Sequence, residues 1–272
     1  MEPNTNYLQP VDDGLPVRGS QDYARYKLRA LELYVQITNN AMHSRWQNRA
    51  FIDLQAGPGK NRIGTEIVLG SPLIAITAPH AANHFYFNEL DVNLANALRT
   101  RLTGMDRTSI YNKDVNEVVG EISRAVMNLH PRSLNIAFMD PEGLELRWDT
   151  VAKVAEVPRT DLIINFSSQG ILRNYGAGNF QIIDNFFGSS EWRVILDRNR
   201  SQPRRVLIDH YLERLAAFGY KTDVDPDLPP AEIVAKNSRN SELYSVIFAS
   251  RHDLGSKFWR QAEKYTNPPR LL

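Results

Sequence analysis

The sequence predicts an α/β protein with a doubly wound, mostly parallel sheet of seven strands, preceded by an N-terminal helix. Three observations predict it. Short apolar runs alternate with longer segments of helical period from Phe51 onward, the first run ends in an acidic residue followed by two glycines, and a final pair of apolar runs adds to one sheet edge. At 272 residues, 42% hydrophobic and 23% charged, the chain has the size and composition of one large domain or one domain with a modest appendage.

Residues 1–20 carry Pro3, Pro10, Gly14, Pro16 and Gly19 without helical or strand period and read as an extended arm; residues 21–272 read as a single domain. From Gln21 to Met42, Tyr26, Leu28, Leu31, Leu33, Tyr34 and Val35 recur near helical spacing. Strands are expected at Phe51 to Leu54, His84 to Phe87, Ser109 to Tyr111, Asn135 to Met139 and Leu162 to Phe166. Helices are expected between them, at Ile63 to Ala78, Val92 to Leu102, Val115 to Leu129 and Trp148 to Val157. Phe180 to Phe218 reads as helical or mixed, with Pro203 opening its last long helix. The proline-rich stretch from Asp223 to Pro230 reads as a loop, followed by strands at Glu232 to Ala235 and Tyr244 to Ala249, the last of them antiparallel, and a closing helix from Leu254 to Lys264.

Composition removes several function classes. With 32 Lys and Arg against 31 Asp and Glu the net charge is +1, so nucleic acid or an acidic membrane would have to be met locally. There is no cysteine, which excludes disulfides, thiolate metal sites and attack through a cysteine sulfur, including covalent carbon-5 methylation of pyrimidines. No apolar stretch approaches the roughly 18 to 20 residues of a membrane span. The opening residues lack a secretory pattern, so a cytoplasmic location and no membrane partner are expected.

The strongest local signal is Phe51-Ile52-Asp53-Leu54-Gln55-Ala56-Gly57-Pro58-Gly59-Lys60. Gly57 and Gly59 allow a tight turn and a close backbone approach to a ligand at the carboxyl end of a strand, where open α/β sheets bind. A third glycine is absent and Asp53 stands before the pair, so a cationic, phosphate-free cofactor such as S-adenosylmethionine suits the loop better than a dinucleotide. An ordinary strand-to-helix turn is the plain alternative. Glu89, at the tip of the next strand, is placed to accept hydrogen bonds from ribose hydroxyls. Asp114 is placed to read an adenine amino group and the Val115 amide to meet a ring nitrogen, although Asp114 equally suits the cap of the following helix. Asp140, fixed by Pro141 at the fourth strand tip, is the candidate catalytic carboxylate, to orient an acceptor or take its proton. Asn165, Ser167 and Arg173 past the fifth strand, with Pro141, are the candidate acceptor contacts. Arg193, Arg198, Arg200, Arg204 and Arg205 with Trp192 form either a phosphate-holding patch or a wet helix face diluted by Glu191, Asp197 and Asp209. His80 and His84 have metal-like spacing, but Pro79 breaks the helix it needs, and no metal is assigned.

Asp53 to Lys60, Gly70-Ser71-Pro72-Leu73, Asn88-Glu89, Phe138 to Leu144, Leu162 to Ser167 and Phe248-Ala249-Ser250-Arg251-His252, in that order between about Tyr26 and Lys264, resemble the three-Cys-motif partner protein family. That family resembles class I S-adenosylmethionine-dependent methyltransferases, so the resemblance implies a Rossmann-like fold, that cofactor, and a partner protein carrying three cysteines. Family members usually carry an aromatic residue after the Asp-Pro pair where this chain has Glu142, so stacking on a base is not implied at that position. Gln55 stands where many relatives have Phe or Gly, and the helical extension of longer members has no counterpart here.

The leading expectation is methyl transfer to nitrogen or oxygen, with a nucleobase or nucleic acid the favoured acceptor. The competing reading, favoured by Glu142, is a non-catalytic subunit that keeps the fold and serves its partner as a binding module. A nucleotide-dependent oxidoreductase is the third, weakened by the missing third glycine.

Overall fold

The computed structural model describes residues 5–221, 232–236 and 242–266; the proline-rich loop expected at Asp223 to Pro230 lies outside the described residues. In chain order, a 3-10 turn (Thr5–Leu8) leads to β1 (Arg18–Ser20), α1 (Ala24–Met42), β2 (Asn48–Asp53), β3 (Lys60–Ile63), β4 (Glu66–Leu69) and α2 (Ser71–Thr77). Then come β5 (His84–Asn88), α3 (Val92–Arg101), β6 (Thr108–Tyr111), α4 (Val115–Met127), β7 (Ser133–Met139), α5 (Trp148–Ala155) and β8 (Thr160–Phe166). The chain continues through α6 (Ser168–Gly176), α7 (Phe180–Phe187), α8 (Glu191–Arg198), α9 (Pro203–Ala216), β9 (Glu232–Lys236), β10 (Glu242–Ala249) and α10 (Asp253–Thr266).

The main sheet has seven strands in the order β6-β5-β2-β7-β8-β10-β9. Its first five strands pair in parallel, and β10 runs antiparallel to both β8 and β9. This is the expected doubly wound, Rossmann-like arrangement, with the reversal of strand order at β2. The inner strands are apolar on both faces because helices cover both. Ile52, Ala137, Met139, Leu162 and Ile164 point into one core against α4, α5, α7 and α9, while Phe51, Phe87, Ile136, Phe138 and Ile163 point into the other against α1, α2 and α10. Val115, Val118, Val119, Ile122 and Val126 form the buried stripe of α4. Asp91 and Asp114 cap α3 and α4, each accepting backbone N–H groups at the helix start, and Pro203 opens α9 as expected.

Two expectations are corrected. The segment from Ile63 to Ala78 is not one helix: β3 and β4 form a hairpin with Ile63 opposite Glu66, and α2 begins only after Gly70. Gly64 sits at the first of the two loop positions with φ +60°, the backbone that two-residue hairpins require there, and Pro72 fits the start of a new helix. Secondly, residues 168–176, to which the sequence assigns no element, form a helix; Gly170, Asn174 and Gly176 give that stretch no helical apolar period.

The arm does more than extend. β1 pairs in parallel with β3, making a second sheet of order β1-β3-β4. Asp13 is fully buried between two cations: Lys60 Nζ lies 2.7 Å from Oδ2, and Arg101 Nη2 lies 2.7 Å from Oδ1. Lys60 also donates to the carbonyls of Asn6 and Val11, and Arg101 to those of Pro16 and Pro58. Burial opposes the charged carboxylate, but its bonds to Arg101 and Lys60 outweigh that and hold Asp13 well below the usual carboxylate range.

Removing the carboxylate would leave two buried cations without a counter-charge. Asp13→Ala is expected to cost about 3–5 kcal/mol of unfolding free energy in urea at neutral pH; a loss under about 1 kcal/mol would mean that the cluster holds nothing together.

Candidate functional site

The carboxyl ends of the strands on either side of β2 open onto two neighbouring cavities. The outer one, about 660 Å³, lies over β2, β5 and β6; the inner one, about 290 Å³, lies over β7, β8 and the start of α1. Arg18, Gly19, Gln55 and Glu142 line both, so the arm forms the partition between them.

The glycine loop sits at this partition. Gly57 and Gly59 have φ +63° and +88°, backbone that favours glycine. A Cβ on Gly59 would come within 3.1 Å of both Leu73 and Leu98, so that position is closed to larger residues by packing as well. The loop leads into β3 instead of a helix, contrary to an ordinary strand-to-helix turn. No helix start follows the glycine pair, which removes the usual seat for a pyrophosphate.

Asp53 ends β2 and is fully buried. Burial pushes its carboxyl up to about 7, and the nearby charges of Asp140 and Glu89 add to the rise. Glu89 ends the turn after β5 and is 4% exposed. Its Oε2 accepts from the Gly57 amide at 2.8 Å and from Arg18 Nη2 at 3.1 Å, and its Oε1 accepts from the Asp91 amide at 2.9 Å. The expected ribose contact is therefore partly taken by the chain itself: a carboxylate has about four acceptor positions, and three are filled.

Asp114 and Val115 line the outer cavity. The Asp114 carboxylate accepts from the Asn116 amide at 2.7 Å, so the capping role is realised in the same place. Acidic residues dominate this cavity: Glu89, Asp91, Asp114, Glu142 and Glu145 face Arg18, beside the apolar Leu54, Leu90, Leu94 and Val115. That set of acceptors and apolar side chains fits a ligand with a flat apolar ring, hydroxyls and positive charge, which S-adenosylmethionine has; it does not fit a pyrophosphate.

Asp140 and Pro141 line the inner cavity with Asn165. The Asp140 carboxylate is bound by Lys27 Nζ at 2.6 Å and by Asn165 Nδ2 at 2.8 Å, while its backbone amide donates to Gln55 Oε1 at 3.1 Å. Lys27 lies 5.4 Å from the centre of the Tyr244 ring, and Tyr244 donates to the Tyr23 carbonyl at 3.0 Å. Glu145 shapes the turn by accepting from the Glu142 and Gly143 amides at 2.6 and 2.8 Å. Asn165 Oδ1 and Gln55 Nε2, the other ends of the amides that hold Asp140, have no hydrogen-bond partner among the described residues.

Ser167 and Arg173 are not brought to the site. Ser167 packs its hydroxyl toward Gly170 at the start of α6, Arg173 is exposed, and neither lines either cavity. The turn from β8 into α6 carries them past the crevice. Four of the five arginines of the basic run have partners: Arg193 binds Asp184, Arg200 binds Asp197, Arg205 binds Asp209, and Arg204 donates to Ser245 Oγ. Trp192 is fully buried, with its indole N–H on Asp184, and offers no stacking face. Sequence reasoning missed Arg18, Lys27, Tyr23 and Tyr244. A signal existed for Lys27, a cation set within the buried stripe of Ala24, Leu28 and Leu31; Arg18 had none.

No protein-family model matches the sequence, and no curated protein is found similar to it. The resemblance to the three-Cys-motif partner family therefore stands on the motifs quoted above. Among solved structures, protein LPL1258 of Legionella pneumophila aligns over 88% of this chain and 91% of its own, at 8% identity and a TM-score of 0.49. The N-methyltransferase NodS of Bradyrhizobium japonicum, in complex with S-adenosyl-L-homocysteine, aligns over 86% and 90%, at 8% identity and a TM-score of 0.43. The fold itself stands on the strand ladders described above.

Asp53 sets a pH dependence. A carboxyl raised from 3.8 to about 7 on folding contributes stability that is fully present below 3.8 and lost as the pH rises through about 7. Asp53→Asn should remove that loss: the variant's unfolding free energy relative to the parent rises between about pH 4 and pH 7, by something on the order of 4 kcal/mol, and is flat above. Urea unfolding across that range checks it; parallel curves for the two proteins would place the titration elsewhere.

Proposed function

We propose that the chain binds S-adenosylmethionine in the outer cavity and directs methyl transfer to a nitrogen or oxygen acceptor held in the inner one. The observation that carries this is the pairing of an acid-rich cavity over β2, β5 and β6 with a second cavity around Asp140, meeting at the glycine loop. When bound, the cofactor supplies an electrophilic methyl group. Glu89 and Asp114 would hold its adenosine, with the Gly57–Gly59 backbone beside it.

Asp140 has the position of an orienting group or proton acceptor. Lys27 and Asn165 fix its carboxylate, and Asn165 Oδ1 and Gln55 Nε2 are left as an unpaired acceptor and donor. Fixing the acceptor in line is worth most of the rate in a one-step displacement. A nucleobase is the favoured acceptor: Tyr23 and Tyr244 line the inner cavity with aromatic surface that Glu142 does not supply. Association with a three-cysteine partner rests on the family resemblance alone.

A second reading has a specific observation behind it. Glu89 is paired with Arg18 and Asp140 with Lys27, as in a subunit that keeps the fold for binding and does no chemistry. Calorimetry of the full chain with S-adenosylhomocysteine is the first test; a folded sample that gives no heat sinks both the cofactor and the reaction. With binding established, labelled S-adenosylmethionine and pooled nucleic acid separate the two readings. Asp140→Asn is expected to lower transfer by about a hundredfold or more while leaving S-adenosylhomocysteine affinity within a few-fold; a parent that binds and transfers to nothing is the binding subunit.

A further inference from the structure

Among the described residues, Arg18 is the cation that lines both cavities, and it is not locked to Asp140. Its Nη2 is 3.1 Å from Glu89 and its Nη1 3.5 Å from Glu142, and its side chain remains 23% exposed. Its Nε lies 3.6 Å from the point a Cβ on Gly57 would occupy, so the guanidinium rests directly on the glycine loop. The backbone beneath it is fixed, because Arg18 pairs with Asn61 in β3 and the arm is anchored at Asp13. What remains free to move is the side chain.

The surrounding charge makes this position decisive. The outer cavity's other charged residues are all acids, and in the inner cavity the second cation, Lys27, is committed to Asp140 at 2.6 Å. A ligand that lies across the partition and carries a carboxylate would meet repulsion everywhere except at Arg18. Among groups of the proposed cofactor class, the amino-acid end brings such a carboxylate, and the ribose end brings hydroxyls that need the acceptor position Arg18 now fills on Glu89.

We infer that Arg18 is the specificity residue of this cleft: its guanidinium leaves Glu89 to the ribose and takes the α-carboxylate of an adenosyl amino acid, so that adenosyl compounds lacking the amino acid are bound less well. The inference rests on the cofactor reading above and names the part of that cofactor which the arm recognises. A charge-assisted arginine–carboxylate contact sets the size of the effect.

The test is calorimetry of the full chain and of Arg18→Gln, each shown folded by its melting curve, with S-adenosylhomocysteine and with 5′-methylthioadenosine, which has the same adenosine and thioether but no amino acid. The parent is expected to prefer S-adenosylhomocysteine by about tenfold to a hundredfold. Arg18→Gln is expected to lose that preference to within about threefold, with 5′-methylthioadenosine bound as well as before or better because Glu89 is released. Arg18→Lys, which keeps the charge but not the fork, is expected to retain part of the preference. A preference unchanged in Arg18→Gln overturns the inference and leaves the cofactor reading intact. Equal tightening of both ligands in that variant also overturns it, by making Arg18 a plug. No binding of either ligand to either folded protein overturns the cofactor reading and the inference together.

Discussion

A carboxylate held between two cations in the protein interior governs the site more than any residue that faces it. Asp13, Lys60 and Arg101 are each removed from water, and the cost of desolvating them is offset because nearly every donor finds an oxygen: the carboxylate itself and the carbonyls of Asn6, Val11, Pro16 and Pro58. The cluster ties three separate pieces of chain. Lys60 follows the glycine loop, Arg101 ends α3, and Asp13 belongs to the arm. Because Arg101 also holds the Pro58 carbonyl at 2.7 Å, the loop's left-handed turns and the arm's path over it are set by the same set of charges.

With the arm fixed, the electrostatics of the crevice follow. Four carboxylates, Asp53, Glu89, Asp140 and Glu142, gather at and beside the ends of β2 and its neighbouring strands, and the chain handles them in three ways. Glu89 and Asp140 are neutralised by Arg18 and Lys27, Glu142 stays largely in solvent, and Asp53 has no cation and meets the charge problem by holding its proton to about pH 7. The two lysine and arginine partners both come from the N-terminal part of the chain, so the sheet supplies the acids and the arm and first helix supply the balancing charge.

Much of this was legible in the residues. Strands buried on both faces are near-continuous apolar runs, which is why β2, β5, β7 and β8 were placed within a few residues, and strand tips in a parallel sheet can be counted once the strands are known. Glu89, Asp114, Val115, Asp140, Pro141 and Asn165 accordingly line the crevice, whereas Asp53 is fully buried at the end of β2 and lines neither cavity. The failures have two causes. The β3–β4 hairpin and α6 are local elements whose residues show neither a clear alternation nor a helical apolar period, whereas Arg18 and Lys27 reach the site through contacts distant in sequence, with Glu89 and Asp140. Ser167 and Arg173 were assigned by nearness along the chain, which the turn into α6 breaks. Of the acids that pair the basic run, Asp197 and Asp209 were already visible beside it in the sequence, whereas Asp184 stands on the preceding helix, α7.

The inner cavity joins residues made at opposite ends of synthesis: the Tyr244 hydroxyl reaches the Tyr23 carbonyl 221 positions away, and α1 packs its Tyr34 against Phe248 and Trp259. On the ribosome, part of the apolar side of α1 therefore stays uncovered until β10 and α10 have followed. A nascent chain stalled after β8 would carry Asp140 and Lys27 but not the Tyr244 side of their cavity. The pocket is thus among the last parts of the protein to come into being, and a truncated product is left without a closed one.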